Sequence, residues 1–128
     1  MTEEELKHRT KQFGLRCIRL AESLPNKPVA KAIANQLVRC GTSVGANYRA
    51  ACRGRSKAEF IAKLGNVEEE ADESAYWMEM IVDAGLAKKH LIPLHQEAEE
   101  LVRIIVSSIR SSRFSAVSNP KSNVQNPK

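Results

Sequence analysis

The sequence predicts an all-α protein, an antiparallel up-and-down bundle of four helices. Three observations carry that expectation. Apolar residues recur at alternating steps of three and four through four successive segments, the spacing of a helix face. Aromatic residues are 5% of the chain against 42% hydrophobic overall, so the core is aliphatic and rich in alanine, which favours helices over a β-sandwich. Short connections join the segments, as between neighbouring helices of a bundle. The 128 residues suffice for one domain, read as residues 1–113, with helices at about 2–24, 28–53, 56–85 and 92–113 and a disordered tail over 114–128.

The first helix opens at Thr2-Glu3-Glu4-Glu5, the spacing of a capping box. Leu6, Phe13, Cys17, Leu20 and Leu24 form its apolar stripe, and Pro25 stops it. The second begins at Pro28, a good first-turn residue. Ala30, Ala34, Leu37, Gly41, Val44, Tyr48 and Ala51 form its seam, and Arg53-Gly54-Arg55 ends it.

Within it lies CGTSVGANYRAAC, Cys40 to Cys52, which could be read as a phosphate-cradling loop. Such a loop needs a preceding strand and a following Lys-Ser/Thr pair, and neither is present. As a helix, the stretch carries two glycines at about 1 kcal/mol each against alanine. Ile33 and Cys40 add apolar surface on one flank, and Val38, Gly45 and Cys52 on the other. A helix so apolar is expected to be buried almost all round, with Arg49 the one residue of the Cys40–Cys52 stretch to reach solvent or a partner, and to meet a helix of another subunit in a homo-oligomer. Gly41, Ser43, Val44, Gly45, Asn47 and Tyr48 are then the packing residues. Asn47 is expected to fix a helix contact by hydrogen bonding. A monomeric bundle with a tight crossing at Gly41 and Gly45 is the alternative.

The third helix starts at a second capping box, Ser56-Lys57-Ala58-Glu59. Its stripe is Phe60, Leu64, Val67, Ala71, Ser74, Met78 and Ile81, and Gly85 stands where a C-terminal cap belongs. Tyr76 and Trp77, at outward and flanking positions, are expected at an interface. Like charges at i,i+4 in the run Glu68 to Glu73 repel unless bases face them. A tight turn at Gly54 brings Arg39 level with Glu70, so a network of Arg39 with Glu69, Glu70 and Glu73 is preferred to a divalent-ion site. The fourth helix starts near Pro93, buries Leu94, Ala98, Leu101, Ile105 and Ile109, and frays near Arg113. The Ser-, Asn- and Pro-rich tail has no periodicity.

The net charge is +5, unevenly spread. Pro25 to Arg55 holds six bases and no acid; Ser56 to Gly85 holds eight acids and two bases. Such asymmetry guides packing between elements or subunits, or marks a nucleic-acid footprint. Candidates for the latter are Arg49, Arg53, Arg55 and Lys57 around one turn, and Lys88 and Lys89 at another. Nothing points to catalysis or a cofactor. Glu5-Leu6-Lys7-His8 is a single Glu-x-x-His match where a di-iron bundle needs two. His90 and His95 read as solvated, and Ser43 has no evident base. Cys17, Cys40 and Cys52 show no CxxC spacing and read as reduced buried thiols. The charged N-terminus is not expected to act as a secretory signal, no run approaches a membrane span, and a cytoplasmic location is expected.

Three stretches carry a resemblance. Ser43-Val44-Gly45-Ala46-Asn47, Arg55-Ser56-Lys57-Ala58-Glu59-Phe60, and Val67-Glu68-Glu69-Glu70-Ala71-Asp72-Glu73-Ser74-Ala75-Tyr76-Trp77, in that order, resemble the four-helix-bundle proteins first noted in intervening sequences of bacterial 23S rRNA genes. The resemblance covers about residues 5 to 113. Many relatives read Asn-Ile-Ala-Glu-Gly where this chain has Asn47-Tyr48-Arg49-Ala50-Ala51. The resemblance implies an antiparallel bundle assembled as a homopentameric ring, with no known catalytic activity. A remotely similar bundle, the accessory protein of diversity-generating retroelements, is a basic pentamer that works with a reverse transcriptase and RNA, a likeness of fold. Two functions stay open. One is a non-enzymatic oligomeric adaptor for RNA or a nucleic-acid enzyme such as a reverse transcriptase. The other is a protein-only scaffold whose charges serve its own interfaces.

Overall fold

The computed structural model describes residues 1–87 and 91–118, the last four of these as backbone alone. They form four helices, α1 (Glu3–Glu22), α2 (Pro28–Cys52), α3 (Lys57–Asp83) and α4 (Ile92–Ser118), and no strand occurs among the described residues. Consecutive helices pack on one another, while α4 meets α1 through a much sparser contact. Between α1 and α2, Gly14 faces Gly41 and Thr42 while Thr10 faces Gly45. Between α2 and α3, Gly54 approaches Phe60 while Arg39 reaches Glu70 and Glu73. In both pairs rising numbers on one helix meet falling numbers on the next.

Local chemistry sets the helix ends. At α1, Thr2 Oγ1 accepts from the Glu5 amide (3.1 Å) and Glu5 Oε1 accepts from the Thr2 amide (2.7 Å), so the capping box is complete. At α3, Ser56 Oγ accepts from the Glu59 amide (3.1 Å), but the Glu59 carboxylate reaches past the cap to the Arg55 amide (2.6 Å). α2 has Lys27 as its N-cap with no side-chain hydrogen bond, and Pro28 supplies its first-turn geometry. α3 ends in a Schellman motif: Gly85 takes φ +72°, its amide donates to Val82 C=O, and the Leu86 amide donates to Ile81 C=O, each at 2.9 Å. Leu86 and Ile81 are both buried, the apolar contact that accompanies this motif.

The core follows the stripes. Phe13 and Cys17 of α1, Leu37 and Val44 of α2, Leu64, Val67, Met78 and Ile81 of α3, and Leu101 and Ile105 of α4 are essentially excluded from solvent. Each large apolar side chain so buried contributes about 1.5–3 kcal/mol. Leu24, Ala34, Phe60 and Ile109, also on the stripes, are half-buried at the helix ends or flanks. α1 adds two buried residues that hydropathy does not flag, Thr10 and Gly14. Thr10 is dry because its hydroxyl donates to its own helix, with the Leu6 carbonyl at 2.9 Å and the Lys7 carbonyl at 3.1 Å.

Two expectations change. α4 does not stop near Arg113; it continues to Ser118. Arg113 to Ser118 contains no glycine or proline, and the first breaker is Pro120, which disfavours helical backbone at the residue before it. The remainder of the expected tail lies outside the described residues. Nor is α2 buried almost all round. Thr42 and Ala46, like Arg49, are exposed in the single chain, because α1 and α3 cover only two sides of it.

The glycines outside the α1–α2 contact have opposite roles. At Gly65 in α3 an added Cβ meets nothing within 4 Å, so only the helix-interior cost of glycine remains. Gly65→Ala is expected to stabilise by about 0.5–1 kcal/mol. Gly85→Ala is expected to destabilise by about 1–2 kcal/mol, since an L side chain must enter the left-handed region. Urea midpoints of the two variants, moving in opposite directions, check this pair.

Candidate nucleic-acid interface

The residues singled out in α2 meet different partners. Gly41 lies on α1: a Cβ there would sit 2.6 Å from Cys17 Sγ and 2.7 Å from Cys17 Cβ. At Gly45 it would meet the Thr10 backbone at 3.3 Å. Both glycines thus serve a close crossing inside the chain, the alternative reading of the Cys40–Cys52 stretch, and do not by themselves call for a second subunit. Val44 is in the core and Tyr48 is nearly so. Burial, and then the neighbouring Cys52 thiol, raises the Tyr48 phenol above its ordinary range. Ser43 Oγ donates to the Arg39 carbonyl (2.7 Å), a bond within its own helix. Asn47 is half-buried and makes no side-chain hydrogen bond among the described residues, so it does not fix a helix contact within the chain.

The thiols are free and buried. Burial pushes Cys17 up to about 12. It raises Cys40 as well, against a hydrogen bond from Ser74 Oγ (3.3 Å) that lowers it. Cys52 is raised by burial too. None of the three is an activated nucleophile. Among the described residues no group of three His, Cys, Asp or Glu side chains could hold a metal ion.

Acidic α3 engages basic α2 through one arginine. Arg39 Nη1 lies 3.5 Å from Glu70 Oε1, Nη2 donates to Glu73 Oε2, and Gln36 Oε1 accepts from the same guanidinium at 3.2 Å. Glu73 Oε2 also accepts from Trp77 Nε1 (3.0 Å). Tyr76 packs edge-on against Trp77, centroids 5.2 Å apart, and stays half exposed. Glu69 is exposed and outside this network. Arg39 is itself about half exposed, so these pairs select register more than they add stability.

Two polar contacts had no signal in the sequence. Arg9 of α1 and Glu97 of α4 form a bidentate pair, Nε to Oε2 at 2.7 Å and Nη2 to Oε1 at 2.8 Å, across a sparse helix contact. Lys57 is buried, and its Nζ donates to the Ser112 carbonyl of α4 (2.6 Å). This removes Lys57 from the expected set of exposed cations. The same bond sets the end of α4 beside the α2–α3 turn and so adds Arg113 to that end of the bundle. Arg110 and Arg113 are exposed, and the packing of α4 through Ser112 shows which turn Arg113 neighbours.

What remains is an arginine cluster at one end. Arg53 and Arg55 are exposed on the α2–α3 turn, and their guanidinium groups make no ion pair among the described residues, the Glu59 carboxylate meeting Arg55 at its backbone amide. Arg49, one turn back on α2, opens on a groove between α1 and α2. At the opposite end His95 Nε2 lies 2.8 Å from Glu79 Oε2, so His95 is paired rather than simply solvated. Lys88, Lys89 and His90 lie outside the described residues. Guanidinium groups held outward without counter-charges suit phosphate oxygens, which they bind bidentately.

The family model for the 23S rRNA-intervening sequence protein matches residues 3–107, which span α1 to α3 and over half of α4. The chain belongs to this family. A solved structure agrees: a protein of unknown function of the S23 ribosomal protein family from Bacteroides thetaiotaomicron VPI-5482 is 29% identical, covering 86% of this chain and 99% of that one, with a TM-score of 0.79. No curated protein matches. As a 23S rRNA-intervening sequence protein, the chain shares its helical fold with that solved structure, which is itself described as of unknown function. No helix among the described residues is long and apolar enough to cross a membrane.

Proposed function

We propose that the chain is the antiparallel up-and-down unit of a cytoplasmic homo-oligomeric ring, a pentamer. The ring is a non-enzymatic, nucleic-acid-associated adaptor whose ligand is RNA. The arginine cluster carries this reading: the guanidinium groups of Arg53 and Arg55 project from the α2–α3 turn without an ion pair among the described residues, and Lys57 anchors α4 so that Arg113 stands beside them. A ring repeats that cluster around one rim, which multiplies weak phosphate contacts into avidity. The rim would also suit an RNA held by a reverse transcriptase or another nucleic-acid enzyme.

The test is fluorescence anisotropy with a mixed-sequence single-stranded RNA across a salt series. Arg53→Ala/Arg55→Ala is expected to weaken binding by about tenfold or more at low salt. It should also flatten the slope of log K against log salt by roughly 1.4 per engaged protomer. Lys57→Met, which changes a buried cation, should leave the slope unchanged. Absence of RNA binding by the unaltered protein even at low salt defeats the nucleic-acid reading and leaves the protein-only scaffold.

A further inference from the structure

A groove of about 370 Å³ opens between α3 and α4, within the range of small-ligand sites, about 300–1,000 Å³. Lys57 reaches Ser112, and Glu79 reaches His95, so the start of α3 lies beside the end of α4. The groove therefore has two different ends. Arg113 stands at the end nearest the arginine cluster, and Glu68 at the other. Between them Ile61 and Ile109 supply apolar surface, and Arg110 lines the groove together with Gly65. An added Cβ at Gly65 meets nothing within 4 Å. No packing contact calls for glycine there, and its missing side chain leaves a slot in the α3 wall. Glu68 is half-buried, and its carboxylate makes neither an ion pair nor a hydrogen bond among the described residues. The guanidinium groups of Arg110 and Arg113 are likewise unpaired there.

We infer that this groove takes a guanine base of the bound RNA, an inference that rests on the RNA reading and gives it a base preference. A ligand that fits must be anionic at one end, flat and apolar in the middle, and rich in hydrogen-bond donors at the other end. A nucleotide is built in that order. Its phosphate meets Arg113, continuous with Arg53 and Arg55. Its base lies over Gly65, against Ile109 and the plane of the Arg110 guanidinium, a usual stacking partner of unpaired RNA bases. Its far edge meets Glu68. Along α4 the lining runs from Arg113 to Val106, about 10.5 Å at 1.5 Å per residue, which matches the reach from a phosphate to the edge of a purine. The carboxylate then selects the base, because an ionised carboxylate only accepts. Guanine alone among the four bases sets two donors side by side on its Watson–Crick edge, N1–H and the N2 amino group. Adenine and cytosine place a ring-nitrogen lone pair beside their amino group, and uracil flanks its N–H with carbonyls. Each of those brings a lone pair against Glu68.

The test is fluorescence anisotropy at low salt with a short oligouridine carrying one central guanine, and with the same strand carrying adenine or inosine in its place. The guanine strand is expected to bind about tenfold or more tighter than the adenine strand. Inosine, which lacks the N2 amino group, should fall between them. Glu68→Gln exchanges one acceptor oxygen for a donor, and Gly65→Leu fills the slot. Both positions are partly exposed, so circular dichroism should show helix content unchanged, and both variants should erase the guanine preference. Charge alone predicts something else for Glu68→Gln: loss of a carboxylate beside arginines would strengthen binding of every strand and leave their ratios as they were. That outcome, or equal affinity of the unaltered protein for the three strands, overturns the guanine site. The RNA reading then still stands if Arg53→Ala/Arg55→Ala weakens all three. Absence of binding to any strand removes the RNA reading and the guanine site together.

Discussion

Gly41→Ala is expected to destabilise the protein by about 1–3 kcal/mol, the usual cost of overfilling a packed core. The melting temperature should fall by roughly 3–10 °C. Two effects oppose one another, because alanine is the better helix residue by about 1 kcal/mol. The geometry decides the sign. The new methyl would lie 2.6 Å from Cys17 Sγ and 2.7 Å from Cys17 Cβ. A sulfur can rotate away, but a Cβ moves only with its backbone, so α1 must shift off α2. Cys17→Gly removes both obstructing atoms. In that background Gly41→Ala should cost little or turn stabilising, with a coupling of about 1 kcal/mol or more in a double-mutant cycle. Equal costs in the two backgrounds would show that the Cys17 contact is not what excludes alanine. Gly45→Ala, with its nearest contacts at 3.3 Å, should lose less than Gly41→Ala.

Cys17 also governs the second expected result, unfolding in alkali. Burial pushes its thiol from the ordinary 9.0 to about 12. The folded chain therefore holds the proton more tightly than the unfolded chain. That contribution is complete below pH 9 and is lost as the pH climbs through the folded value. Three pH units correspond to about 4 kcal/mol, of the order of a small domain's whole stability. The buried Cys40, Cys52 and Tyr48, each raised chiefly by burial, add losses of the same sign. Urea midpoints at pH 8, 9.5 and 11 should drop steeply for the unaltered chain. Cys17→Ala should start lower at pH 8, from the lost packing, yet decline less with pH. Parallel declines in the two proteins would remove Cys17 as the cause. The native thiol should likewise resist alkylation at pH 8 until the chain unfolds, since only the thiolate reacts.

Individual residues show how much of the molecule was legible before folding. Leu64, Val67, Ala71, Ser74, Met78 and Ile81 lie at alternating steps of three and four, and each is dry in the folded chain, because spacing along a helix fixes which side chains share a face. Caps were equally local: Thr2 with Glu5, and Gly85 with its positive φ. Arg39 could be placed level with Glu70 because one short turn sets the register of α2 against α3. Legibility failed where one residue had to be matched to a distant one. Lys57 read as a cation beside other cations, yet its ammonium is spent on the Ser112 carbonyl, 55 positions away. Arg9 and Glu97 stand 88 positions apart with no pattern linking them, and they form the bidentate bridge across the α1–α4 seam.

Composition and periodicity by themselves determined that this chain is helical, that its described residues form four helices, which face of each is apolar, and where most of them begin. These are properties of neighbours within a few turns, which propensity, capping and side-chain spacing control directly. Only the tertiary structure decided what each face meets. It turned Gly41 and Gly45 toward α1 of the same chain, left Thr42, Ala46 and Arg49 uncovered, and gathered Arg53, Arg55 and Arg113 at one end. Those outcomes depend on how helices far apart in sequence are brought together, and a stripe of small residues reads the same whether the helix it admits belongs to its own chain or to another.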